Sequence, residues 1–333
     1  MKRAVIGGGS WGTALASVLA NHGDVFLWTR DAAVAENINL NHRNPKYQSD
    51  LQLPPSLYSS THLEEVVAEA NLVVFVVPSH AMRSIADQCV PFLKSGATIV
   101  SASKGIENGS LMTMEEVLSD RLPRSFRSEL AFLSGPSFAR ETLEKQATAV
   151  TVAARFLDVA AEVQRHFTTP YFRVYTTEDV TGVELGGALK NVIAVAAGVA
   201  DGLGLGHNSR AALITRGIAE ITRLAVKLGA NPLTLSGLSG MGDLILTCTG
   251  GLSRNRRVGL ELGQGRSLEE VISGMSEVAE GIKTTLSVYQ LAQREGIEMP
   301  ITSEVYAMLY EGKSPQRTLR DLMGRDLKSE RDH

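Results

Sequence analysis

The chain has 333 residues, 33 of them basic and 36 acidic, for a formal net charge of −3, with 44% hydrophobic and 21% charged positions. So even a balance excludes a polyanion binder working by bulk charge, and no nucleic-acid partner is expected. The length suits two domains, and the lone, distant Cys89 and Cys248 exclude a disulfide framework and fit a reducing cytoplasm.

In chain order, the short apolar run at Ala4-Val5-Ile6 predicts a strand that meets a glycine cluster. That run is too short for a secretory signal. Trp11, Ala14, Leu15, Val18 and Leu19 then recur at helical spacing over 10–22, and Gly23 is the stop. Further strands are predicted at Val25–Trp28, Leu72–Val77, Thr98–Ser101, Leu130–Leu133, Val150–Val152 and Tyr171–Tyr175. The run at Leu72–Val77 is apolar throughout, as in a strand covered on both faces. Strands alternating with helical patterns imply a parallel, doubly wound sheet. After Glu178 the patterns are helical, over 182–200, 208–229, 255–263, 267–273, 281–294 and 301–310. The expected fold is an α/β Rossmann-like doubly wound domain over 1–178, followed by an all-α domain over 179–333. Val183–Ala200 is the longest apolar stretch, but Glu184, Lys190 and Asn191 interrupt it, so a buried helix is expected and no membrane span.

Gly7, Gly9 and Gly12 fit G-x-G-x-x-G between a strand and a helix, the context of a dinucleotide site. One glycine makes the turn, one admits a pyrophosphate, and one lets helix meet strand, while the helix start offers free N–H groups. Arg30 stands where the second strand ends and the adenosine ribose is read; it suits a 2′-phosphate, while Asp31 keeps NAD in play. His80 follows the strand at 72–77 and has two readings, a place near the cofactor or a plain helix start. Lys104, in Ser-Ala-Ser-Lys-Gly, is placed to meet an anion or a reacting oxygen. Gly135 and Ser137 lie in Ser-Gly-Pro-Ser, whose small residues admit a ligand or make a plain turn. Lys190-Asn191 is the most informative pair: a lysine in an otherwise apolar helix is costly unless paired or functional, and partial burial would suit it to acid/base work. Asp243 sits in a glycine-rich turn. Ser253, Arg254 and Asn255 at a helix start suit a phosphate, whereas Arg256 and Arg257 read as an exposed charge run. No metal site is expected, since the seven histidines are dispersed.

The segments GGGSWGTALA, VVFVVPSH, SASKGIE, LSGPSFA, GVELGGALKNVIAVAAGVADGLGLGHNSRAALITRG, GLSGMGDLILTCTGGLSRNRRVG and VAEGIKT, in this order, resemble the NAD(P)-dependent glycerol-3-phosphate dehydrogenases, especially the bacterial form. The loop Tyr47–Leu51 lacks the Leu-Pro-Gly that commonly follows this tyrosine in the family. The resemblance implies interconversion of dihydroxyacetone phosphate and sn-glycerol 3-phosphate, with NADPH or NADH, in the supply of glycerophospholipids. It implies dinucleotide contacts at Ser10, Trp11, Arg30, Ala139, Val278 and Glu280, and Lys104 near both cofactor and substrate. It implies Gly135 and Ser137 lining the substrate site, and Lys190 as proton donor and acceptor. Asp243, Ser253, Arg254 and Asn255 match the substrate group, with Arg254 also near the cofactor. Two roles stay open for Asp243: orienting Lys190, or holding a substrate hydroxyl. A homodimer is the family's suggestion. Two other functions also fit the glycine loop: reduction of a hydroxy acid or 2-oxo lactone, and non-catalytic dinucleotide sensing.

Overall fold

The computed structural model describes residues 1–275, 279–327, 329 and 330. Internal contacts divide the chain into two units: Met1–Lys104 with Met112–Glu184, and Gly105–Leu111 with Leu185–His333.

The first unit is built on eight strands: β1 Lys2–Ile6, β2 Val25–Trp28, β3 Leu57–Ser60, β4 Ala70–Phe75, β5 Thr98–Ser101, β6 Leu130–Ser134, β7 Thr148–Ala154 and β8 Phe172–Thr177. They lie in the order β3-β2-β1-β4-β5-β6-β7-β8. The sheet reverses direction of winding between β1 and β4, where β1 pairs in parallel with both β2 and β4. That crevice, past the strand carboxyl ends, is where ligands bind in open α/β sheets. Its helices are α1 Ser10–Leu19, α2 Ala32–Asn41, α3 Leu63–Val67, α4 Met82–Cys89, α5 Met114–Arg121, α6 Ala139–Leu143 and α7 Leu157–Phe167. Alternation along β1 splits the core: Val5 joins α1 and α7 in one apolar cluster, while Ala4 and Ile6 join α4 and α5 in another.

Three details differ from expectation. The sheet is not wholly parallel, because β7 runs antiparallel to β6, pairing Phe132 with Ala153. Strand β3 went unread; Leu-Tyr-Ser-Ser alternates buried and part-exposed residues and contains only two apolar side chains. The run at 72–77 leaves the sheet after Phe75, its last two valines staying apolar because they pack beneath the glycine loop, where Val76 O faces Gly7.

The second unit holds α8 Val180–Gly202, whose first turns lie in the first unit, then α9 His207–Lys227, α10 Pro232–Leu235, α11 Asp243–Thr249, α12 Arg254–Gly263, α13 Leu268–Ser273, α14 Glu280–Glu295, α15 Pro300–Tyr310 and α16 Pro315–Met323. A wide π turn, Leu238–Gly242, leads into α11. The division falls after Glu184 rather than at 178/179. Val180 and Val183 pack in the cluster of Phe75 and Phe132, which ties the start of α8 to the sheet. Among the described residues, α8 is the one helix long and apolar enough to cross a membrane, and 94% of its most apolar stretch is buried inside the protein, which makes it a core helix. Both cysteines are free and buried, and burial pushes each thiol up to about 12.

Helix α12 approaches α8 more closely than side chains would allow. A Cβ on Gly198 would lie 1.9 Å from Arg256 O, and one on Gly259 1.9 Å from Val195 O; Gly202 and Gly263 meet the facing backbone in the same way. Four glycines therefore set this helix–helix distance, and with it the position of the start of α12.

Candidate active site

The loop after β1 is shaped by steric demands on two glycines and by openness at a third. Gly7 has φ +126°, and a Cβ there would sit 2.3 Å from Val76 O; one on Gly12 would sit 1.8 Å from Gly7 O. A Cβ on Gly9 would meet nothing within 4 Å. Gly9 is the N-cap of α1, and neither a capping side chain nor an acid lies in the first turn. The N–H groups of a bare helix start are donors for an anion. Ser10 and Trp11 open that helix, and the Trp11 indole Nε1 is buried without a partner. These residues fit a dinucleotide pyrophosphate. Asn44, which the sequence reading missed, buttresses the loop: its amide donates to Gly8 O at 3.1 Å and to Thr13 Oγ1 at 2.8 Å. The Asn-Pro dipeptide was its only signal.

Past β2, Arg30 is exposed and has no hydrogen-bond or ionic partner among the described residues. Asp31 is instead the N-cap of α2, accepting from Ala33 N and Val34 N at 3.1 and 3.3 Å. His80 lies exposed in the Ser79–Ala81 turn ahead of α4, which is a helix start.

Lys104, Gly135 and Ser137 come together. Lys104 Nζ donates to Gly135 O at 3.1 Å, and Ser137 Oγ donates to the same carbonyl at 3.0 Å. Gly135 has φ +146°, with Val150 Cα 2.9 Å from where a Cβ would be. Ala139 follows as the first residue of α6. In the nearby Tyr47–Leu51 loop, Gln48 takes φ 59°, and Asp50 pairs with Arg140 at 2.7 Å.

In the second unit, Lys190 is 7% exposed and Asp243 1%. Lys190 Nζ lies 2.5 Å from Asp243 Oδ1 and donates to Thr247 Oγ1 at 2.9 Å. Thr247 in turn donates to Asp243 O at 2.6 Å. The wide turn before α11 makes this possible, because Gly240 and Gly186 allow backbone to meet backbone there. Of the two roles left open for Asp243, its geometry is that of a partner to Lys190. A buried ammonium needs such a counter-charge and hydrogen bonds to offset its lost hydration.

Ser253 is the N-cap of α12, accepting from Arg256 N at 3.2 Å, and Arg254 is the exposed first residue of that helix. Asn255 donates to Asn191 Oδ1 at 2.9 Å and accepts from Gly281 N at 2.9 Å. It thus ties the neighbour of Lys190 to the first turn of α14, where Glu280 stands. Val278 lies outside the described residues. The charge-run reading holds for Arg257, which pairs with Glu261 at 2.8 Å on the surface, but not for Arg256. Arg256 is part-buried and shares Asp201 with Arg210.

Two carboxylates take roles that the sequence did not mark; Glu184 reads there only as a break in an apolar stretch. Glu184 accepts from Glu115 N at the start of α5, and burial, the largest cause, pushes it up to about 8. Glu220 accepts from Ile301 N at 2.7 Å and Thr302 N at 3.3 Å at the start of α15, and burial again raises it, to about 7. Among the described residues no His, Cys, Asp and Glu group could hold a metal ion.

Comparison with known proteins bears on the whole chain. Residues 2–160 match the family model for the NAD-dependent glycerol-3-phosphate dehydrogenase N-terminus, and residues 179–320 match that for its C-terminus. The chain is similar to glycerol-3-phosphate dehydrogenase [NAD(P)+] of Leptospira biflexa, 55% identical over 331 residues and 99% of each chain. The Myxococcus xanthus protein of the same name is 54% identical over 331 residues, again 99% of each. The crystal structure of glycerol-3-phosphate dehydrogenase from Coxiella burnetii has a TM-score of 0.91 at 37% identity, covering 97% of this chain and 99% of that one. On these matches, spanning both units, the chain belongs to the NAD-dependent glycerol-3-phosphate dehydrogenase family.

Proposed function

We propose that this chain interconverts dihydroxyacetone phosphate and sn-glycerol 3-phosphate, using NADPH or NADH. The observation that carries the reading is the buried Lys190–Asp243 pair in an otherwise apolar helix. Removing both charges from water is expensive, and a protein that only sensed a dinucleotide would have no need of it. The dinucleotide, when bound, exchanges a hydride with C2 of the triose phosphate. Lys190 protonates the C2 oxygen as charge develops there, and removes the hydroxyl proton in the reverse direction. Asp243 and Thr247 fix the direction of Nζ. Asn191, held by Asn255, and Lys104 act as preorganised donors toward the substrate oxygens.

Gly7, Gly9 and Gly12 with Ser10 and Trp11 hold the pyrophosphate end of the dinucleotide, and Arg30 takes the 2′-phosphate of NADPH. Ala139, Val278, Glu280 and Arg254 are further dinucleotide contacts. Gly135, Ser137, Ser253 and Arg254 line the triose phosphate site, with Arg254 on the phosphate. In this reading the sheet unit binds dinucleotide, and the helical unit carries the catalytic lysine. The enzyme acts as a homodimer in the cytoplasm, where buried free thiols are at home, and supplies glycerophospholipid synthesis.

The test is oxidation of NADPH or NADH by dihydroxyacetone phosphate, followed at steady state. Lys190→Ala should cut kcat by about 10²–10⁴-fold, the usual worth of a general acid, with dinucleotide affinity nearly intact. A folded mutant, checked by circular dichroism, that loses only in KM would remove Lys190 from the proton transfer.

A further inference from the structure

Arg3 stands out at the opposite end of β1 from the glycine loop. Val5 packs in the cluster shared with α1 and α7, and Arg3, two residues earlier, projects to that same face. It is 8% exposed, and its Nε is buried without a hydrogen-bond partner. Among the described residues it forms no side-chain hydrogen bond and no ion pair. Its Nη1 lies 3.4 Å from the place a Cβ on Gly23 would take, in the turn that ends α1.

The charged groups near it are of both signs, and His166 Nε2 lies 3.8 Å from Glu162 Oε1. His166, in the last turn of α7, feels the charge of Arg3, of His22 and of Arg165, with Glu162 opposing them. Burial, the largest cause, and then the Arg3 charge lower its pKa. His22 Nε2 lies 2.9 Å from Thr168 O, just past α7. Asp24 is the acid nearest in effect to Arg3, yet it is exposed and makes no ion pair with it. A guanidinium carries five donors in a planar fork, and the buried Nε of Arg3, with no acceptor in the protein, is a standing cost.

We propose that Arg3 and His166, with His22 and Arg165 at the rim, form a binding site for a free inorganic oxyanion of the phosphate or sulfate type. A tetrahedral oxyanion matches the fork of Arg3 bidentately and gives its donors the acceptors they lack. Four residues of strand separate Arg3 from Gly7, about 13 Å, so the site is distinct from the dinucleotide loop.

The experiment uses the full-length protein with Arg254→Ala in the background, which removes the phosphate contact proposed for the substrate. Inorganic phosphate is titrated against sodium chloride of equal ionic strength. Melting temperature and the Nε–Hε resonance of Arg3 in 15N-arginine-labelled protein are followed. Saturable stabilisation, a shift of the Arg3 resonance, and at least a tenfold loss of affinity on Arg3→Met are expected. His166→Gln, which leaves Arg3 in place, should weaken binding several-fold and covers the case that Arg3→Met fails to fold. An Arg3 resonance that phosphate does not move, or affinity unchanged in both variants, overturns the site. Binding of methyl phosphate but not of inorganic phosphate would also overturn it, since the site would then belong to an ester.

Discussion

The starts of α1 and α12 solve the same problem in opposite ways. Each helix begins beside a glycine-rich segment and each has N–H groups to satisfy. At α1 the cap is Gly9, which offers no side chain, and the space above it is empty. At α12 the cap is Ser253, which bonds Arg256 N, and the adjoining Asn255 is committed to Asn191 and Gly281. The first start is a backbone surface open to any pyrophosphate. The second already has its own hydrogen bonds, so in the proposed function recognition there falls to the exposed side chain of Arg254. In the proposed function, affinity for the cofactor and discrimination of the substrate thus draw on different chemical groups. The starts of α5 and α15 extend the contrast, because each donates to a glutamate carried by another helix, part-buried Glu184 and buried Glu220.

Gly12→Ala should have the largest effect. Its Cβ would fall 1.8 Å from Gly7 O, where backbone has to move, at a cost of about 3 kcal/mol or more in stability together with loss of dinucleotide binding. Gly9→Ala sharpens the point. It should fold at a cost of only about 1 kcal/mol at this cap position, yet weaken the dinucleotide by about tenfold or more, read by fluorescence titration. Equal loss of stability in the two variants would remove the distinction drawn between those glycines.

Arg254→Ala comes next. It should lower kcat/KM for dihydroxyacetone phosphate by about 10²-fold, the scale of a charge-assisted contact plus lost orientation. Unphosphorylated dihydroxyacetone should change far less. An equal factor for both substrates would assign Arg254 to the cofactor alone.

The glutamate-capped starts predict a pH dependence. Glu184 at about 8 and Glu220 at about 7 lie above the ordinary 4.5 of an unfolded chain. Between pH 4.5 and 8 the folded protein therefore binds more protons than the unfolded one, and stability falls as pH rises through that window. The melting temperature should be higher at pH 6 than at pH 8.5. Glu184→Gln should flatten part of the slope, and an unchanged slope would show that Glu184 titrates normally. Ser253→Ala should be the smallest effect, about 1 kcal/mol by chemical denaturation, the typical worth of a lost serine cap.

Legibility in the sequence followed the range of the interaction. The apolar runs of β1, β2 and β5 and the glycine loop are local patterns, and so are α8, α9, α12, α13, α14 and α15, read to within two residues at each end, whereas the short α10 and α11 were not read. Strand β3 and helix α16 lacked an apolar signature, although Ser314 as cap and Pro315 at the first position were a readable start for α16. The antiparallel turn of β7 depends on pairing with β6, which periodicity does not encode. At the candidate site, Lys190 was visible because a charge interrupts an apolar helix. Its partner Asp243, 53 residues away, was visible only as an acid among glycines, and its geometry needed the fold. Asn44, Glu184 and Glu220 act on backbone groups distant in sequence, so no spacing rule marks them.

The glycine contact of α8 with α12 has a consequence for where activity can be lost. Gly198, Gly202, Gly259 and Gly263 touch no proposed ligand, yet they act as a gauge that fixes how far Arg254 stands from the helix bearing Lys190. Adding a methyl group at any of them inserts a shim between two rigid rods, and the displacement travels undiminished along α12 to its first residue. Neutral variation is therefore closed off along a seam that carries no chemistry, and an inactive variant at Gly259 would be a fault of alignment.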